Sequence, residues 1–220
     1  PRGKALGGSS SMNSMIYIRG DASDYDRWAA LGCTGWGWQD VLPLFKKSER
    51  NLLGQSPALH GTQGELVVDR ARDPNPLSRL FVSAAEKLGI RRNDDFNGGE
   101  LEGCGIYNLT QKDAKRLSSY RAFVAPIRER SNLTVLTSCE VDSLIVDGQR
   151  VSGVALRVDG ESLRLGCRCE VILCAGALGS PQILLNSGIG PRAELEAAGV
   201  PLVHELPGVG KNLQEHLDGL

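Results

Sequence analysis

The stretch "EVILCAGALGSPQILLNSG", residues 170–188, constrains the fold more than any other part of the chain. Val171 to Cys174 form an unbroken apolar run, the pattern of a strand covered on both faces. Ala175, Gly176 and Ala177 follow, and then a helix whose entry is marked by Ser180 and Pro181. A buried strand that passes into a helix through a turn poor in side chains is the unit of an open α/β sheet, and ligands bind beyond the carboxyl ends of such strands. Small residues there let a large flat or phosphorylated cofactor touch backbone. An ordinary strand–turn–helix joint has the same pattern, so the segment alone weighs the two readings evenly.

Upstream, residues 131–176 read as strand after strand: "NLTVLT", "VDSLIVDGQ", "VSGVALRVDG", "ESLRLGCRC" and "EVILCAG". Asp147-Gly148 and Asp159-Gly160 are turn dipeptides of the kind that join hairpins. Residues 51–130 alternate short elements: a strand at "GELVVD", a helix at "PLSRLFVSAAEKLGI" and a strand after the loop "DFNGGELEGCGIYNLTQ". The first of these helices should bury Leu77, Leu80, Phe81, Ala84 and Leu88 on one face and stop at Gly89. "SSYRAFVAPIRER" is predicted helical from a serine cap as far as Pro126. At the front, "SSSMNSMIYI" can open a helix, "SDYDRWAALG" is a short amphipathic helix ending at Gly32, and "WQDVLPLFKKSER" is another if Pro43 falls in its first turn. After residue 176 come the helices "SPQILLNSG" and "RAELEAAG" and an edge-like strand, "VPLVHEL".

Composition narrows the function. The chain has 220 residues, with 25 Lys and Arg against 26 Asp and Glu, a net charge of −1 that points to neither nucleic acid nor an anionic membrane. No apolar run is long enough to span a bilayer. Six cysteines lack the paired spacing of a zinc site or a redox dithiol, which predicts no metal and reduced, mostly buried thiols in a cytosolic protein, Cys167 and Cys169 among them. The three histidines, His60, His204 and His216, have no convergent partner in the sequence and read as surface or structural residues. Trp28, Trp36 and Trp38 read as packing residues, and Arg116 and Ser118 as a capping serine beside a salt bridge.

Four blocks, in order, carry a resemblance: "RGKALGGSSSMNSMIYIRG" with "DYDRWAALGCTGWGWQDVLPLFKKSE", "DFNGGELEGCGIY" with "KRLSSYRAF", "GALGSPQILLNSGIGP", and "LPGVGKNLQEHL". Together they span nearly the whole chain, which resembles the glucose-methanol-choline (GMC) oxidoreductases, FAD-dependent alcohol-oxidising enzymes. The resemblance implies an α/β fold, α+β in part: a fragment of an FAD-binding Rossmann-like domain with inserted β-hairpins, plus part of a substrate-binding domain. Residues 1–50 and 131–220 would belong to the FAD-binding domain and 51–130 to the first part of the substrate domain. It implies that backbone around Ala5, Gly7 and Gly8 lines the flavin, and that Asn13, Ser14, Met15 and Ile16 wrap the isoalloxazine and pyrophosphate. Val141 would meet the adenine by its backbone, and Ala175 and Gly176 would form the small turn beside the cofactor. Glycine and free N–H groups suit phosphate, and Asn supplies both donor and acceptor.

Met12 stands where some members attach FAD through a histidine, which implies non-covalent FAD. The family's GxGxxG element would precede Pro1 and its catalytic histidine would follow Leu220, so the chain is expected to be incomplete and no catalytic residue is assigned within it. The implied activity is oxidation of a small-molecule alcohol to an aldehyde or ketone by hydride transfer to flavin, with bacterial alcohol and choline dehydrogenases the nearest in pattern. Hydroxynitrile lyases of the same fold, or an inactive truncated fragment, are the alternatives. The expected location is cytoplasmic, with a peripheral place at a bacterial inner membrane as the other option.

Overall fold

The computed structural model describes residues 2–215; His216 lies outside them. The chain divides into two compact units, Pro1–Val135 and Leu136–Leu220.

In the first unit, helix α1 (Ala22–Ala30) starts at Asp21, whose carboxylate accepts from the Ser23 N–H while Asp24 accepts from the Asp21 N–H. Gly32, at φ 105°, lets the chain leave it in the left-handed region. Asp26 of α1 accepts from the Trp38 N–H at 2.8 Å, so one carboxylate ties α1 to the first residue of α2 (Trp38–Ser48). Tyr25, Trp28, Trp36, Trp38 and Phe45 pack together across this pair, with centroids 5.4 to 6.4 Å apart. Pro43 sits in the middle of α2, not in its first turn. The helix survives because Pro43 and Gln39 are both exposed, so solvent can reach the Gln39 carbonyl that loses its donor.

A four-stranded sheet follows: β1 (Glu49–Asn51) runs parallel to β2 (Leu66–Arg70), and β3 (Asn108–Lys112) and β4 (Lys115–Arg116) continue it antiparallel. Val67, Leu117 and Ala122 form a buried cluster on it. The hairpin from β3 to β4 turns at Asp113 and Ala114, both with positive φ and neither a glycine. Tyr120–Val124 makes a wide helical turn that tightens to a 3-10 turn at Ala125–Ile127, where Pro126 enters, as the sequence predicts.

Helix α3 (Pro76–Lys87) is capped by Asn75 and stopped at Gly89, but the expected face is not the buried one. Val82 and Ala85 pack on Cys104 and Ile106, while Leu77, Leu80, Phe81 and Leu88 stay exposed. The loop beneath α3 reaches only a narrow stripe of it, so the wider apolar face has no partner among the described residues. The front of the chain also departs from expectation. "SSSMNSMIYI" makes one 3-10 turn, Gly8–Ser11, and then passes through a turn at Met12 and a left-handed Met15 (φ 63°) to a bridge between Ile16 and Leu109. Its serines bond local carbonyls instead of propagating a helix, as Ser11 does to Leu6 at 2.7 Å.

The second unit is a meander of β5 (Cys139–Asp147), β6 (Arg150–Val158) and β7 (Glu161–Gly166). Its two-residue loops are Gly148-Gln149 and Asp159-Gly160; the second has both residues at positive φ, the requirement of a type I′ turn. Helix α4 (Gly176–Asn186) packs on β5, where the buried Ser187 hydroxyl accepts from the Leu144 N–H at 2.7 Å. β8 (Ile189–Gly190) and β9 (His204–Glu205) pair in parallel around α5 (Arg192–Ala197), whose Leu195 is fully buried.

Three expectations fail in this unit or across both. α4 begins four residues before Ser180, whose hydroxyl reaches back to accept from the Ala175 N–H at 3.0 Å. Val171 to Cys174 and "NLTVLT" pair with no strand among the described residues, and Ile172 is 74% exposed. A buried strand exists only through its ladder partners, and no other segment here supplies them. Of the six free cysteines only Cys104 is buried; Cys33, Cys169 and Cys174 are exposed, Cys33 in the turn after α1, Cys169 beyond the end of β7 at Gly166 and Cys174 before α4.

Candidate functional site

Seven of the ten candidate cofactor residues form one strip in the first unit. Ala5, Asn13, Ser14 and Ile16 are exposed and Gly7, Gly8 and Met15 are half-buried. Gly7, at φ 92°, tolerates no side chain, since a Cβ there would lie 2.6 Å from the Ser11 hydroxyl and 3.1 Å from Ser118. A Cβ on Gly8 would meet nothing within 4 Å, so the backbone there faces open space. Leu6, Met12, Ile16 and Ile18, 40 to 51% exposed, line the same stretch and alternate with polar Asn13 and Ser14.

The strip is held from behind. The Thr110 N–H donates to Met15 O at 2.8 Å, and the Tyr17 N–H donates to Asn108 O at 2.9 Å, fastening it to β3. The Arg116 guanidinium donates to Asn13 Oδ1 at 2.7 Å and to Ser10 O at 3.2 Å, and the Ser119 N–H donates to Ser10 Oγ at 2.9 Å. Among the described residues Arg116 therefore has no carboxylate partner, contrary to the expected salt bridge. Arg116 and Ser119 are positioning residues that the sequence does not reveal, since their partners lie over a hundred positions away. A rigid, solvent-facing strip of open backbone, apolar side chains and one oriented amide fits a flat group with polar edges.

The other three candidates lie in the second unit. Val141 is on β5 beside a register shift, next to Asp142, whose carbonyl accepts from the Asn186 side chain at the end of α4. Ala175 and Gly176 are exposed at the start of the same helix, with Gly176 at φ 86°. An eleven-residue α4 separates the two places by about 15 Å along its axis, a span for an elongated ligand and not a compact one.

His60 is neither exposed nor a free base. Its Nδ1 lies 2.9 Å from Glu49 Oε1 and its Nε2 lies 3.0 Å from Asp95 Oδ2, so both ring nitrogens face carboxylates. Burial pulls the His60 pKa down, but the hydrogen bond and charge of Glu49, with those of Asp95, outweigh it and hold the imidazolium above its ordinary range. Glu49, also buried, would be pushed up by burial, yet hydrogen bonds from His60, the Gly61 N–H and Asn51, and the charge of Arg19, keep it below the usual carboxylate value. Arg19 closes the cluster at 2.6 Å from Glu49 and donates to the Leu59 carbonyl. The cluster clasps the 51–64 and 91–105 loops; a doubly engaged imidazolium has no site left to take a substrate proton. His204 is exposed on β9.

Comparisons with known proteins identify the family. Residues 1–218 match the GMC oxidoreductase family model. The chain is 45% identical over 220 residues to an alcohol dehydrogenase [acceptor] of Pseudomonas putida, covering 99% of itself and 40% of that protein. It is 40% identical to an oxygen-dependent choline dehydrogenase of Photobacterium profundum, covering 39% of it. Among solved structures, a pyridoxine 4-oxidase from Mesorbium loti superposes with a TM-score of 0.87 at 36% identity, over 94% of this chain and 41% of that one. An FAD-dependent oxidoreductase from Chaetomium thermophilum gives 0.91 at 31% identity, over 97% of this chain and 39% of that one. The mixed helix and sheet architecture is that of these flavoenzymes. The chain belongs to the GMC oxidoreductase family, and it spans about two fifths of the length of these relatives.

Proposed function

We propose that this chain is the part of an FAD-dependent alcohol-oxidising enzyme that holds the flavin along the Ala5–Ile16 strip and begins the substrate domain. The observation that carries the reading is that strip: open backbone at Gly8 and an Asn13 amide fixed by Arg116, in a chain of this family. Bound FAD supplies the two-electron acceptor for an alcohol carbon. The chain's own part is to orient it: Gly7 and Gly8 let it approach backbone, Asn13 and Ser14 offer polar contacts, and Met15 and Ile16 lie against it. Val141, Ala175 and Gly176 are assigned as flavin contacts as well. Residues 1–50 and 131–220 are assigned to the flavin-binding domain and 51–130 to the substrate domain. Met12 cannot form the histidyl linkage, so the flavin is held without a covalent bond.

The full-length polypeptide carrying these residues is the material for the test. Acid precipitation should release all the yellow chromophore into the supernatant, and anaerobic addition of a primary alcohol should bleach it. Flavin left in the pellet would refute the non-covalent assignment. A bound flavin that no alcohol bleaches would refute the oxidation and point to the lyase-type chemistry that shares this fold.

A further inference from the structure

We infer that Asn97 is a positioning residue for the flavin: its side-chain amide joins the backbone at Tyr17 and Arg19, just past the strip, to the buried Glu49, His60 and Asp95 cluster. It thereby fixes the register in which the strip meets the cofactor. The inference rests on the proposed function, which assigns the strip to the flavin.

β3 takes up the backbone of this segment as far as the Tyr17 N–H. Asn97 takes over from there: its Nδ2 donates to Tyr17 O at 3.1 Å, and its Oδ1 accepts from the Arg19 N–H at 2.7 Å. Those are the two bonds that one peptide unit of a parallel strand would make, so a single side chain carries the pairing further along the segment. Asn97 is buried, so water does not compete for either bond.

The amide is itself held. The Asn97 N–H donates to Asp95 Oδ1 at 3.1 Å, the Asp95 N–H donates to Asn93 Oδ1 at 2.9 Å, and the Gly98 N–H donates to Asp95 O at 3.0 Å. A Cβ on Gly98 would lie 2.8 Å from Asp95 Oδ2 and push on the carboxylate that His60 engages. Asp95 faces His60, His60 faces Glu49, and Glu49 takes the Arg19 guanidinium, so the path returns to the residue it left. Arg19 is fixed at its N–H and at its guanidinium by two arms of one ring. Such fixing matters because Met15, four residues upstream, sits at φ 63° without being glycine, a conformation that persists only where its surroundings over-determine it. On one side Asn13 Oδ1 accepts from the Met15 N–H at 3.1 Å; on the other, β3 and Asn97 hold the chain. Asn97 also lies in the segment assigned to the substrate domain, so the same amide ties that segment to the flavin strip.

The test is made on the full-length polypeptide. Asn75→Ala is the control, since that residue caps α3 and bonds neither the strip nor the cluster, while losing a cap also destabilises the fold. Asn97→Ala should weaken FAD binding about 5- to 30-fold in fluorescence titration of the flavin-free protein, and should change the visible circular dichroism of the bound flavin. Asn97→Asp keeps the acceptor for the Arg19 N–H and loses the donor to Tyr17 O; it should weaken binding about 2- to 5-fold, and it carries the comparison if Asn97→Ala does not fold. Asn75→Ala should leave affinity and spectrum unchanged. His60→Gln should also weaken FAD binding, and adding it to Asn97→Ala should bring little further loss, because both act along one path. Amide hydrogen exchange in the flavin-free protein should quicken at Tyr17 and Arg19 in the Asn97 variants and stay as it was in α3. Asn97 variants that bind FAD as tightly as Asn75→Ala would overturn the inference and leave the proposed function standing, as would losses from His60→Gln and Asn97→Ala that simply add. An unaltered polypeptide that binds no FAD would sink the proposed function instead, and the exchange rates would then still decide whether Asn97 holds the strip.

Discussion

The two units are held together by different physics. The second is a local construction: each strand of its meander pairs with the next through a two-residue loop, and Ser187 joins α4 to β5 by a single buried hydrogen bond. The first draws on remote groups: Arg19, Glu49, His60 and Asp95 meet across three loops, and Arg116 reaches back to Asn13 over a hundred positions. Short-range turn chemistry is robust to a single change. A buried ionic cluster is not, because each charge is tolerable only while its partners are present.

The sharpest way to break the contrast is Glu49→Ala, which strands the Arg19 and His60 cations without their shared carboxylate. It should cost about 3–5 kcal/mol, enough to unfold the first unit, while thermal melting and limited proteolysis find the β5–β7 meander protected. Protection of both units alike would remove the distinction.

His60 tests the same cluster by pH. Its pKa is raised in the fold, so the stability it contributes is complete below the ordinary histidine value and is lost as pH rises through the raised one. Glu49 is lowered, so its contribution is present above the ordinary carboxylate value and is lost as pH falls through the depressed one. Melting temperature should therefore peak between these limits. His60→Gln should cost about 1–3 kcal/mol and erase the alkaline fall. A variant that keeps that fall would assign it elsewhere.

Arg116→Ala sharpens the comparison at the candidate site. Losing the bonds to Asn13 and Ser10 should weaken flavin binding about 5- to 30-fold, the equivalent of 1–2 kcal/mol, read from flavin fluorescence, with a smaller change in melting. An unchanged flavin affinity would make Arg116 a fold residue only. The smallest effect belongs to the second unit. Gly148→Ala, at φ 60°, should cost about 1 kcal/mol in denaturant unfolding, and a loss several times larger would mean the hairpins are less independent than drawn.

The legible parts were those whose cause is local. The hairpin strands and the Gly89 stop of α3 both follow from residues within a few positions of one another. The candidate strip was legible as glycines and serines around Asn13, but not as a non-helical segment braced by Arg116. Periodicity picked out the face of Leu77, Leu80, Phe81 and Leu88, but the neighbouring loop covers Val82 and Ala85 instead, since a helix's own pattern does not say where its partner lies.

By itself, then, the sequence determined the family, the turns, the caps and the glycines at which a group can approach backbone, because each depends on residue type or on near neighbours. Only the tertiary structure decided that His60 is an imidazolium held between two carboxylates, that Arg116 serves Asn13, and that α3 buries Val82 and Ala85 in place of Leu77 and Phe81. Those outcomes depend on distances between segments far apart in the chain, and on what burial does to a charge once its partners are in place.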